Sequence, residues 1–141
     1  MSDESLITEE LKNLMKIDFG PQVYEVEKWW VQKFAEAVGD SNPRWKEVTL
    51  PTFPTALILE ELDNTITNLK EPLSRSLNGG NELEYFLPIR IGDTITVTGK
   101  IVDMKEREGR LGKMVILTSE LTYTNQNGEV VAKCRNANVK Y

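Results

Sequence analysis

The stretch Gly92-Asp93-Thr94-Ile95-Thr96-Val97-Thr98-Gly99-Lys100-Ile101-Val102 decides the fold class. Ile95, Val97 and Ile101 fall on one side, and Thr94, Thr96, Thr98 and Lys100 on the other. That period of two is the mark of a half-buried strand. Downstream, the charged run Lys105-Glu106-Arg107-Glu108-Gly109-Arg110 predicts a solvated hairpin connection. Lys113 to Thr124 predicts a long second strand, Asn127-Gly128 a tight hairpin turn, and Glu129 to Tyr141 a closing strand. Upstream, Glu82 to Leu87 alternates as well, with Leu83, Tyr85 and Leu87 on one face, before Pro88 punctuates.

Earlier still, the period lengthens. Leu6, Leu11, Leu14 and Met15 suggest a short amphipathic helix over residues 5–16, broken by Phe19-Gly20-Pro21. Val23 to Val26 is briefly extended. Trp30, Phe34, Ala37 and Val38 recur at helical spacing from about Glu27 to Val38, with Gly39 where a C-terminal cap belongs. The adjacent Trp29 points to a different side of that helix from Trp30. A third helix is predicted from about Pro54 to Leu69, with Ile58, Leu62, Ile66 and Leu69 as its apolar stripe and proline at the first position. Residues 70–81 read as loop. Helices first and an antiparallel meander after them is an α+β arrangement.

With 141 residues, 40% of them hydrophobic, the chain suffices for one cored domain and is too short for two. We expect a single unit over 1–141, with 1–20 as an N-terminal helical extension. A net charge of -5 argues against nucleic acid, because phosphate neutralisation needs a basic face. No apolar run approaches the roughly 20 residues that span a bilayer. The start, Met1-Ser2-Asp3-Glu4, is acidic, with no apolar signal segment after it, so a soluble cytoplasmic protein is expected. The lone Cys134 excludes an internal disulfide and, between Lys133 and Arg135, is expected to face inward. The histidine count is zero. That removes Ser-His-Asp and Cys-His chemistry in cis and every imidazole zinc site; no metal or cofactor is expected. Any general base must be Asp, Glu, Lys or Tyr.

Three segments resemble the MaoC-like (R)-specific enoyl-CoA hydratase/dehydratase group, specifically its N-terminal dehydratase (hot-dog) subgroup. They are Phe34-Ala35-Glu36-Ala37-Val38-Gly39-Asp40-Ser41-Asn42-Pro43, Pro51-Thr52-Phe53, and Leu77 to Tyr85 with Leu87-Pro88-Ile89-Arg90-Ile91-Gly92-Asp93-Thr94. The resemblance implies a long central helix wrapped by a curved antiparallel sheet, and two such folds packed around an acyl-thioester tunnel. It implies reversible hydration of a trans-2-enoyl thioester carried on coenzyme A or an acyl-carrier protein, in fatty acid metabolism. Active members hold their water with the aspartate and histidine of Gly-Asp-x-Asn-Pro-x-His. Asp40 matches the aspartate, but Trp45 stands where the histidine belongs. Indole is a donor only and cannot shuttle a proton at neutral pH. Asn78 stands where relatives of this subgroup often carry a second histidine.

Asp40 is therefore the candidate catalytic residue, with an ordinary turn aspartate as the alternative. Asn42, Trp45, Thr52, Phe53, Thr55, Asn78 and Gly79 are the candidate substrate-binding residues by the same resemblance. Trp45 either lines the tunnel, plugs a dead site or is ordinary buried indole. Free N–H groups at the predicted start of the central helix (Thr52, Phe53, Thr55, Ala56) are candidates to polarise a thioester carbonyl, with a packed helix entry as the alternative. Arg107, Arg110 and Lys113 either meet coenzyme A phosphates or cover a solvated hairpin.

The first functional reading is a subunit that shapes an acyl pocket in a homodimer, or in a heteromer with a catalytic MaoC-like chain. A second is an acyl-CoA or acyl-carrier-protein binding module without turnover. A third is a hot-dog thioesterase using Glu60, Glu61 or Asp63 on the central helix.

Overall fold

The computed structural model describes residues 5–110 and 112–141; the acidic Met1 to Glu4 lies outside the described residues. Among the described residues there are three α-helices: α1 (Glu9–Lys12), α2 (Lys28–Val38) and α3 (Glu60–Thr67). The strands are β1 (Phe19–Glu25), β2 (Ser76–Tyr85), β3 (Thr94–Gly109), β4 (Gly112–Thr124) and β5 (Val130–Lys140). They pair antiparallel in the order β1-β3-β4-β5-β2. Among the described residues no helix is long and apolar enough to cross a membrane.

The alternation at Thr94 to Val102 does what its period requires. Ile95, Val97 and Ile101 are fully buried; opposite Val97 and Ile101 on β4 lie Tyr123 and Ser119. The strand does not stop at Val102. It runs to Gly109, because β4 pairs with it rung by rung down to Gly112, so the charged run is the arm of a long hairpin rather than its loop. The N-terminal segment covers that arm: Leu6 N and Ser5 Oγ both donate to Glu106 Oε1. The helix expected over 5–16 is α1 followed by a 3-10 turn, Asn13–Lys16, while Phe19 and Gly20 already belong to β1.

Two other expectations are corrected. The segment 70–81 is not all loop. From Ser76 onward it is the first half of β2, and the Asn78-Gly79-Gly80 run supplies a bulge in the pairing with β5. The central helix is also shorter than 54–69. It is preceded by a 3-10 turn, Phe53–Ala56, and by Leu57-Ile58-Leu59 outside any helix, with Leu59 extended. In that segment Leu57 and Leu59 are buried, while Ile58, assigned to the helical stripe, is 44% exposed.

The side chains of β1 explain the late start of α3. Gln22 Oε1 accepts from Glu60 N at 2.8 Å, capping the helix from outside, and Tyr24 Oη donates to Ile58 O at 2.5 Å. Leu59 sits over two glycines on neighbouring strands. A Cβ on Gly20 would lie 3.1 Å from its side chain and 2.7 Å from Val97 O; one on Gly99 would lie 3.1 Å from it and 2.5 Å from Leu121. Only glycine permits this approach, and Gly20 also has a φ of 92°.

Cross-strand partners share a face, so the inner face of the β5–β2 edge can be followed rung by rung. Ala132 faces Tyr85, Cys134 faces Leu83, Asn136 faces Asn81, Asn138 faces Asn78 and Lys140 faces Ser76. The file turns from apolar to polar along its length. Its last member, Lys140, is fully buried and donates to Ser76 Oγ at 2.5 Å. Burial pushes its ammonium below the usual lysine range.

The folded-state value thus lies below the unfolded one. Between the two the unfolded chain binds more protons, so this residue makes stability rise with pH through that window. Lys140→Met is expected to raise the thermal midpoint at neutral pH. The gain should shrink toward the unfolded lysine value of about 10.4. Unfolding scans at neutral pH and near that value check both the sign and the trend.

Candidate functional site

Helix α2 ends at Gly39, whose φ of 75° turns the chain so that Asp40 N donates back to Ala35 O. Two side-chain turns follow. Asp40 Oδ1 accepts from Asn42 N at 3.0 Å, and Asn42 Oδ1 accepts from Arg44 N at 3.0 Å, capping the 3-10 turn Pro43–Lys46. One oxygen of each candidate is therefore engaged in shaping the loop that presents Trp45.

Trp45 is half-buried and does not project into solvent. Its Nε1 is covered and has no hydrogen-bond partner among the described residues. The Arg44 guanidinium lies 6.0 Å from the centre of its ring. Trp45 forms a wall of two grooves. One, of about 630 Å³, is shared with Asp40, Asn42 and Pro43. The other, of about 360 Å³, runs past Pro51 to Tyr85, Phe86 and Leu87 at the end of β2. Asp40, Asn42 and Trp45 thus come together on one groove.

The Pro51 to Thr55 segment behaves differently. Phe53 is fully buried, with its ring 5.2 Å from Trp30 and 5.4 Å from Phe34 between centroids, so its side chain is packed into the core. Phe53 N donates to Leu50 O and Thr55 N to Thr52 O, each at 3.0 Å, so these two expected oxyanion donors are already engaged. Thr52 and Thr55 are exposed, and Thr55 Oγ1 also donates to Thr52 O. With α3 beginning only at Glu60, the helix terminus expected beside these prolines is not there.

Asn78 and Thr55 line a second site, a cavity of about 200 Å³ between α3 and the inner face of the sheet. Asn78 Oδ1 accepts from Gly80 N at 2.9 Å across the bulge. Gly79 is exposed on β2, and a Cβ there would lie 3.2 Å from Ala137 O. The prominent residues of this cavity were missed in the sequence: Asn81, Ser119, Asn136 and Asn138. A signal existed. Cys134 faces inward, and the period of two then requires Asn136, Asn138 and Lys140 to do the same. Burial of Cys134 raises its thiol pKa, so it behaves as a small hydrophobe. Burial likewise pushes the nearby Tyr85 phenol up to about 12, with a smaller contribution from Cys134.

Glu60, Glu61 and Asp63 are exposed on α3, and only Asp63 borders the cavity. Arg107, Arg110 and Lys113 are exposed on the hairpin arm, as a solvated connection requires.

Comparison with known proteins gives a consistent result. The sequence family described as "FAS1-like, dehydratase domain region" matches residues 13–134. A UPF0336 protein of Thermobifida fusca (strain YX) is 30% identical, over 74% of this chain and 76% of that protein. Among solved structures, a chain of the HadBC (3R-hydroxyacyl-ACP dehydratase) complex of Mycobacterium tuberculosis superposes with a TM-score of 0.72 at 18% identity, covering 87% of this chain and 94% of that one. A MaoC-like dehydratase superposes with a TM-score of 0.73 at 19% identity, over 88% of this chain and 40% of that one. The family match spans most of the chain and agrees with the sheet order, the helix on its inner face and the turn after α2: the protein belongs to the FAS1-like dehydratase-region family and has the hot-dog fold of the MaoC-like dehydratases.

Proposed function

We propose that this chain is a subunit of an (R)-specific enoyl-thioester hydratase/dehydratase that shapes the acyl pocket while a second hot-dog chain supplies the catalytic aspartate and histidine. The observation that carries the reading is Trp45. It stands in the groove beside Asp40, where a proton carrier is needed, and the chain has no histidine. Water activation requires a base toward oxygen and an acid toward the α-carbon, and an indole is neither.

The sheet supports a paired assembly. Strand β2 lies at the edge, and an unpaired edge invites a further strand. Leu77 near the start of β2 is 48% exposed, and just beyond its end Phe86, 49% exposed, lines the Trp45 groove with Tyr85 and Leu87. The Mycobacterium tuberculosis neighbour is itself a chain of a dehydratase complex, which favours a heteromer over a chain working alone. The substrate of the assembly is an acyl thioester of coenzyme A or of an acyl-carrier protein, hydrated without a cofactor.

The test is a crotonyl-CoA hydration assay, followed by loss of enoyl absorbance. The isolated chain should be nearly inactive, since each general acid–base group contributes about 10²–10⁴-fold. Mixing with a hot-dog chain carrying an intact Gly-Asp-x-Asn-Pro-x-His should give turnover that survives Asp40→Asn in this chain. Strong turnover by the pure protein, abolished by Asp40→Asn, would falsify the proposal.

Trp45 offers a second check. Trp45→His restores the residue pair, but Phe53 N and Thr55 N are already bonded, so at most weak activity is expected in the isolated chain. Trp45→Ala is expected to cost about 2 kcal/mol in urea unfolding, less than the roughly 3–5 kcal/mol of a fully enclosed indole. An unchanged urea midpoint would remove Trp45 from the packed wall of the site.

A further inference from the structure

The cavity between α3 and the sheet has two unlike walls. Leu57, Leu59, Leu62 and Ile66 make one of them apolar. The opposite wall is a chain of side-chain amides. Asn138 Nδ2 donates to Asn136 Oδ1 at 2.6 Å, and Asn136 Nδ2 donates to Asn81 Oδ1 at 2.6 Å and to Asn78 Oδ1 at 3.4 Å. Beside them lies Ser119, opposite Asn136 in the register. It is 2% exposed, and its Oγ has no partner among the described residues.

A buried hydroxyl without a partner is costly, because its desolvation is not offset, and calls for an explanation such as a ligand that completes it. We infer that this cavity is a binding site for a short acyl group ending in a neutral polar function, a hydroxyl or a primary amide. The class follows from the walls. A plain alkyl tail would leave the Ser119 hydroxyl unpaired and desolvate the amide file without replacing its hydrogen bonds. An anionic end would meet Asp63, the one charged side chain on the cavity wall among the described residues. Lys140, one rung beyond Asn138, donates to Ser76 and does not line the space. A hydroxyl or amide both donates and accepts, as the asparagine file and Ser119 do. The volume of about 200 Å³ holds about six or seven non-hydrogen atoms, at ~30 Å³ for a water-sized group, so the acyl unit is of four-carbon size.

The acyl part of this inference rests on the thioester reading above; the polar site does not. The full-length chain, labelled with ¹⁵N, is first titrated with butyramide, which carries the polar function without a thioester. The side-chain amide signals of Asn78, Asn81, Asn136 and Asn138 should shift together. Ser119→Ala should weaken binding several-fold while leaving the thermal midpoint unchanged or raised, because an unpaired hydroxyl is being removed.

Affinities of 4-hydroxybutyryl-CoA and its isostere pentanoyl-CoA are then compared by calorimetry. The hydroxylated thioester should bind about tenfold more tightly, the worth of one good hydrogen bond. Equal affinity for the two, or tighter pentanoyl binding, overturns the polar-site inference and leaves the thioester reading standing. Butyramide binding with neither thioester bound leaves the polar site standing and removes the thioester reading. A Ser119→Ala protein that loses stability yet binds butyramide as before shows a structural hydroxyl, and that overturns the inference too.

Discussion

The contact on which the rest of the structure depends is the anchoring of the Pro54 to Leu59 segment onto the sheet. Tyr123, fully buried on β4, donates its hydroxyl to Pro54 O at 3.1 Å. Burial raises its phenol further above the ordinary tyrosine range, so it remains a donor at any physiological pH. Leu59 then drops onto Gly20 and Gly99, and Gln22 caps Glu60. These contacts hold the chain between the 3-10 turn and Glu60 out of the helix and delay α3. A helix running from Pro54 would instead pass continuously across the inner face, where the cavity now lies.

That delay changes the chemistry available. A helix starting beside the Asp40 loop would aim free N–H groups at a thioester carbonyl. In this chain Phe53 and Thr55 have their N–H groups bonded, and Trp45 walls the groove beside Asp40. What the fold offers is shape: exposed Phe86 and Leu87 just past β2, a tryptophan-walled groove and an amide-walled cavity. Both the missing imidazole and the open edge direct attention to a second chain.

The β half of the fold was legible because its signal is local. Ile95, Val97 and Ile101 alternate with threonines, and Gly128 takes a φ of 77° in the predicted β4–β5 turn. Helix α2 was legible for the same reason, down to its Gly39 cap. Where the expectation failed, the deciding contact came from far along the chain. Gln22 and Tyr24 decide where α3 begins, and nothing within residues 54–69 records that. β2 began earlier than expected because Asn78-Gly79-Gly80 supplies a bulge rather than a loop, a distinction set by β5. Asp40, Asn42 and Trp45 were found together because one tight turn holds them. The asparagine file escaped notice because polar residues alternating with Ala137 and Val139 suggest an outward polar face. The register turns them inward.

The account stands or falls on β2 as the edge that receives the second chain. Amide hydrogen exchange of the dilute protein, alone and then mixed with a histidine-bearing hot-dog partner, measures this directly. Residues 76–85 should slow sharply on mixing while residues 19–25, on the opposite edge of the sheet, keep their rates. Protection confined to 19–25, or no new protection in a mixture that hydrates crotonyl-CoA, would contradict it.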